Sequence, residues 1–189
     1  CVLDVHDLSH PIKTDMPIYP GDPEVRVTPA ATHSADGFHV ESVTCGSHTG
    51  THVDAPIHTE PNGRTLAEYP IDAFVREAVC LRCRDLAPRE PIGPERIPET
   101  DADCLIIDTG WDDHWNTPRY LDHPYISPAA ARRCGELGYA VGTDTLNPDP
   151  TPTDNATDDE PTGFAAHHAL LGRDRLVFEN LTRLEAVPD

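Results

Sequence analysis

The segment HTGTHVDAPIH, His48 to His58, places His48, His52, Asp54 and His58 at even spacing. An extended chain alternates its side chains, so these four would share one face. Imidazoles and a carboxylate are the usual ligand set for Zn2+, Mn2+ or Fe2+. A divalent cation held this way brings the pKa of a bound water toward neutrality and polarises a carbonyl, which is the chemistry of hydrolysis. A straight strand would hold His48 and His52 about 13 Å apart, too far for a shared ion, so the segment must bend. Gly50 accepts the backbone angles a bend requires, and Pro56 fixes the exit toward His58. A helix is disfavoured, because Thr49, Gly50, Thr51 and Val53 are poor helix formers.

A second pair lies far along the chain. Glu179 sits inside LVFENL, where an isolated buried carboxylate is costly and needs a partner. His167 precedes it by twelve residues, on a short expected helix. A helix–turn–strand connection brings such side chains together, but a salt-bridged Glu and a helix-surface His would give the same pattern. His168 should point about 100° away from His167.

The elements that must position these groups follow from apolar patterning. Residues 2–8, 38–46, 75–83, 104–110, 139–144 and 175–181 read as strands, with 104–110 apolar enough to be central. SPAAARRCGELG (127–138) has a Ser N-cap and a terminal Gly, so it is expected to be a helix, as is 165–172. MPIYPGDPEV (16–25) and the polar, Pro-rich 146–163 are expected surface loops. Helix-to-strand succession without a repeat or linker implies a single α/β domain over residues 1–189. The chain begins without Met and stops soon after an expected strand, so the natural C-terminus is expected to be missing. Asp144 and Thr145 suit either a pocket wall or a structural turn. Trp111 and Trp115 suit a core or interface ahead of a place over the substrate, His39 a structural place, and His114 and His123 the surface or an interface.

Composition narrows the partners. The formal net charge is −19 and Lys13 is the only lysine. Such a surface repels nucleic-acid backbones and anionic lipid, leaving a small-molecule substrate, and it suits a salt-rich cytoplasm. No apolar run reaches the length of a membrane helix, and the first residues lack the regions of a secretory signal. The six cysteines are scattered; Cys80 and Cys83 lie three apart on an expected strand and so face opposite ways. Reduced thiols in a cytoplasmic protein are the expectation.

HTGTHVDAPIH matches the HxGTHxDxPxH signature of the cyclase family of metal-dependent hydrolases, which includes bacterial kynurenine formamidases and isatin hydrolases. MPIYPGDP, TGWDDHWNTPRYLDHPYIS, VGTDTLNPDP and AAHHALLGRDRLVFENL resemble further segments of that family, including the twelve-residue His-to-Glu spacing. The resemblance implies a compact α/β domain with a mixed, barrel-like β core flanked by helices, assembled as a homodimer or homotetramer. It implies one or two divalent ions per chain, zinc first and manganese as the alternative. His48, His52 and Asp54 would hold one ion, and Asp54, His167 and Glu179 a second. His58 would be the acid/base residue. The reaction implied is cleavage of a C–N bond in a small formamide, amide or lactam. An isatin-type cyclic amide hydrolase, a polyketide-type cyclase and a non-catalytic metal-binding protein are the alternatives. One departure touches specificity: kynurenine formamidases typically carry Trp before Pro-Gly-Asp, lining the aryl pocket, where this chain has Tyr19.

Overall fold

The computed structural model describes residues 4–188. The architecture is a mixed α/β arrangement built on a five-stranded sheet. In chain order the strands are β1 (Arg26–Ala31), β2 (Val40–Thr44), β3 (His52–Asp54), β4 (Ala78–Arg82), β5 (Pro91–Ile92), β6 (Cys104–Asp108), β7 (Tyr125–Ile126), β8 (Ala140–Thr143) and β9 (Val177–Glu179). The helices are α1 (His33–Asp36), α2 (Pro128–Leu137) and α3 (Ala165–Leu171), joined by several single-turn 3-10 segments.

The central sheet runs β3-β9-β8-β6-β4. The β4–β6, β6–β8 and β8–β9 pairings are parallel, and β3 joins antiparallel to β9. The near-continuous apolar character of β6 and β8 follows from burial on both faces, as parallel strands require. Leu105, Ile107, Val141 and Val177 face α2 and α3, packing on Ala130, Ala131, Cys134, Ala166 and Leu170. On the other face Ile106, Phe178 and Val53 meet Tyr69 and Phe74 from 3-10 segments. Expected barrel closure is absent: among the described residues, β3 and β4 are opposite edges of an open sheet.

Local signals set α2. Ser127 Oγ accepts from the Ala130 N–H at 3.2 Å, Pro128 occupies the first turn, and Gly138 closes the helix at φ 94°. The helix and strand expectations from residue 75 onward match observed elements to within two or three residues at each end.

Three further expectations are corrected, and one expected strand is found in a separate ribbon. Residues 4–8 of the first expected strand are irregular, the only pairing there being a bridge from Ser9 to Leu181, and residues 2–3 lie outside the described residues. The second expected strand is real but pairs with β1, which had no strand signal, in a ribbon apart from the main sheet. The start of the 146–163 loop is buried rather than on the surface: Leu146, Asn147 and Asp149 are each 5% exposed or less. Their polar groups find partners within the fold, so burial costs little. His123 is also buried, with Nδ1 2.8 Å from the Pro124 carbonyl and Nε2 2.8 Å from Thr151 Oγ1.

Candidate metal centre

The site lies where β3 meets β9. Gly50 takes φ 62°, the left-handed region that favours glycine, and a Cβ there would come within 2.7 Å of Met16 Cε. That bend brings His48 Nδ1 to 3.2 Å from His52 Nε2. Antiparallel register sets His52 opposite Glu179 and Asp54 opposite Val177, so His52, Asp54 and Glu179 share one face. This is the face that α3 covers, and α3 delivers His167.

Asp54 is the centre of the cluster. Its Oδ1 lies 2.8 Å from His48 Nδ1 and 3.2 Å from His52 Nε2, and its Oδ2 lies 3.4 Å from His167 Nε2. Glu179 approaches His167 Nε2 at 3.1 Å and His52 Nε2 at 3.4 Å. Despite these close nitrogens, both Asp54 oxygens are buried without a hydrogen bond of acceptable geometry. An orphaned buried carboxylate is costly, and a cation relieves that cost. Ligand atoms fall into two triplets within 4.8 Å, His48–Asp54–His58 and His52–Asp54–Glu179, with Asp54 common to both. The residues present therefore fit a divalent ion with nitrogen and oxygen ligands.

The outer contacts orient the rings. His52 Nδ1 donates to the Gly50 carbonyl at 2.8 Å, turning Nε2 toward the carboxylates. His167 Nδ1 lies 2.7 Å from Asp149 Oδ2, and Asp149 also accepts the backbone N–H groups of Ala166 and His167 at 2.7 and 3.0 Å. Sequence reasoning missed Asp149, because an acidic residue in a Pro-rich stretch looks like surface. Asp144, by contrast, belongs to a structural turn: it is buried, accepts from Thr109, Gly110 and Trp111, and does not reach the cluster.

The electrostatics record an unmet demand for positive charge. Burial works against charge throughout, yet the Asp54 carboxylate close beside it, the Glu179 charge and the Gly50 carbonyl lift His52 to about 9. His167 rises well above its ordinary value against its own burial, through Asp149, Asp54 and Glu179. Asp54 is held far below the carboxylate range by the three imidazoles, although burial opposes this. Glu179 is pushed up by burial and by the Asp54 charge. Protons on these rings occupy the role a cation would take. His58 behaves differently: desolvation lowers it to about 4, with the Asp54 charge opposing, so its ring is neutral at pH 7. It leans on His48 at 3.9 Å between centroids and faces His167 at 5.3 Å.

A cavity of about 310 Å3 opens over this cluster, floored by His48, His58, His167 and Glu179 and walled by Tyr19, Leu146 and Phe164. Tyr19 and Phe164 face each other at 6.1 Å, and Phe164 holds φ 57°, an uncommon conformation for an aromatic residue. A larger hollow of about 750 Å3 lies away from the cluster beside Arg89. There Arg89 already binds Glu160 and Asp122, so it offers no free chemistry.

A family model described as putative cyclase matches residues 6–150. The chain belongs to the cyclase family. Kynurenine formamidase of Salinibacter ruber is 30% identical over 192 residues, covering 96% of this chain and 84% of that protein. Kynurenine formamidase of Paracidovorax citrulli is 27% identical over 198 residues, covering 97% and 83%. Among solved structures, isatin hydrolase A from Labrenzia aggregata bound to benzyl benzoate superposes with a TM-score of 0.78 at 24% identity, covering 97% of this chain and 82% of that one. A predicted metal-dependent hydrolase from Bacillus stearothermophilus superposes with a TM-score of 0.72 at 23% identity, covering 97% and 84%. These structures share the cyclase-family fold.

Proposed function

We propose that this cyclase-family chain is an amide hydrolase that cleaves a C–N bond other than a peptide bond, acting on a small formamide in the manner of an arylformamidase. The observation that carries this reading is Asp54, buried with both oxygens lacking a hydrogen bond and ringed by imidazole nitrogens at 2.8 to 3.4 Å. His48, His52 and Asp54 would hold one divalent ion, zinc first and manganese as the alternative, with Asp54, His167 and Glu179 holding a second. When bound, such an ion lowers the pKa of water and polarises the substrate carbonyl.

The chain's own residues do the rest. His58, neutral at pH 7 and at the cavity floor, accepts the proton of the attacking water and returns it to the departing nitrogen. Asp149 fixes the His167 ring so that Nε2 faces Asp54 and Glu179. Tyr19 and Phe164 form an aromatic wall for the substrate, a narrower one than a Trp at position 19 would give.

A second copy of the chain is expected to cover the β1–β2 ribbon, giving a homodimer or homotetramer. Phe38, Val40 and Val43 are each about half exposed there, and a lone two-stranded ribbon is marginal in water. No helix among the described residues is long and apolar enough to cross a membrane. The thiols of Cys45, Cys83, Cys104 and Cys134, unbridged among the described residues, support a cytoplasmic place.

Turnover of N-formyl arylamines and cyclic amides, with product analysis, tests the reading. Formamide cleavage should vanish on chelation, return with zinc or manganese, and be lost in His58→Ala. Cleavage of cyclic amides alone would make it an isatin-type hydrolase, and ring formation a polyketide-type cyclase. Metal binding without turnover would leave a non-catalytic protein. Activity surviving both chelation and His58→Ala would refute the scheme.

A further inference from the structure

The YPGD sequence, Tyr19 to Asp22, folds as a tight turn at the mouth of the cavity. The Asp22 N–H donates to the Tyr19 carbonyl at 3.0 Å, with Pro20 second and Gly21 third at φ 101°. Pro followed by a positive-φ Gly is the pattern of a type II turn. Such a turn sets its first and last residues side by side, and both Tyr19 and Asp22 line the cavity.

Two other polar groups of the wall are already engaged. Asn147 donates to Thr151 Oγ1 at 2.9 Å and accepts from the Asp149 N–H at 2.8 Å. His168 Nδ1 lies 2.7 Å from Glu60. The Asp22 carboxylate, only partly exposed, has no hydrogen bond or ion pair among the described residues. Arg26, the guanidinium nearest in sequence, is held by Glu24 at 2.6 Å. Among the described residues lining the cavity there is no lysine or arginine. The turn thus presents an unpaired carboxylate to a cavity whose described lining holds no lysine or arginine.

We infer that Asp22 is a specificity determinant, selecting substrates that carry an ammonium group at the end remote from the scissile C–N bond and turning away those that carry a carboxylate there. The inference rests on the cavity being the substrate pocket of the hydrolase proposed above. A hydrogen bond between charged partners at a partly exposed site changes affinity by roughly 10- to 100-fold. Repulsion between like charges acts in the opposite direction.

Three N-formyl arylamines of matched size, with side chains ending in methyl, ammonium or carboxylate, separate the outcomes. The metal-loaded protein should show a KM about 10- to 100-fold lower for the ammonium compound than for the methyl compound. Asp22→Asn should erase that gap by raising KM for the ammonium compound alone, and should lower KM for the carboxylate compound. Equal KM values for ammonium and methyl compounds in the unmodified protein would overturn the inference, as would an Asp22→Asn effect equal across all three. If none of the three is turned over, the hydrolase reading fails, and calorimetry with the corresponding free arylamines takes its place. Tighter binding of the ammonium arylamine that Asp22→Asn abolishes would still support the role of Asp22, and its absence would refute it.

Discussion

Two pairs of buried carboxylates stand on one sheet, and the chain treats them in opposite ways. Asp108, at the end of β6, accepts from Arg82 Nη1 at 2.6 Å and from Arg84 Nε at 2.8 Å. Asp144, just past β8, accepts from Thr109 Oγ1 and the Gly110 N–H, each at 2.6 Å, and from the Trp111 N–H at 3.2 Å. Those donors are permanent: guanidinium, hydroxyl and backbone amide. Asp54 and Glu179, on β3 and β9, face only imidazole nitrogens, which can hold a proton or, once it is given up, a metal ion. The first pair is satisfied by the fold and ties the loop after β6 to the sheet. The second is left for something exchangeable, a proton or a metal ion. Burial by itself therefore does not mark a functional carboxylate; the identity of its donors does.

The largest expected effect breaks the second pair. Asp54→Asn should remove metal binding and cost about 10^3-fold or more in kcat/KM, since a bound ion contributes several kcal/mol to the transition state. The metal-free protein should stay folded, because the His52 and His167 rings keep the Glu179 carboxylate as a partner. A collapse of metal-free stability would place Asp54 with the structural pair instead.

A smaller effect breaks the first pair. Asp144→Ala leaves the Thr109 amide without an acceptor and removes the Asp144 bonds of Gly110, Trp111 and the Thr109 hydroxyl, and should cost about 2 to 4 kcal/mol in urea unfolding. Metal stoichiometry should stay unchanged. Loss of bound metal without loss of stability would erase the distinction between the two carboxylates.

The smallest effect is a pH dependence that metal should remove. In the metal-free protein His52 is lifted from 6.5 to about 9, and His167 is also raised. A raised folded-state value contributes stability that is complete below pH 6.5 and is lost as pH climbs toward 9. Unfolding midpoints of the metal-free protein should therefore fall between pH 6.5 and 9. With metal bound the rings are ligands rather than bases, and this slope should flatten. An identical slope with and without metal would mean the rings do not ligate.

Much of the site was legible because its signals are local. His48, His52, Asp54 and His58 lie within eleven residues, and the need for a bend at Gly50 follows from strand rise alone. The caps of α2 are likewise written in Ser127, Pro128 and Gly138. Residue patterning marks Glu179 and His167 only as a buried acid and a histidine at a permissive spacing, and it is the family resemblance that makes them ligands. Asp149 and His123 looked like surface residues, because burial of a polar side chain depends on donors and acceptors brought in from elsewhere. Asp149 needs the start of α3, and His123 needs Thr151.

The sequence by itself determined the ligand types, the bend between them and the α/β succession, since each depends on backbone preferences and spacing within a short stretch. Tertiary structure decided which partners converge. The β3–β9 register set Glu179 beside His52, α3 brought His167 to Asp54, and the YPGD turn laid Asp22 along the cavity wall. It also decided that the sheet stays open and that the β1–β2 ribbon stands apart. These outcomes depend on pairing between distant segments, whose free energy comes from contacts that no single stretch of chain contains.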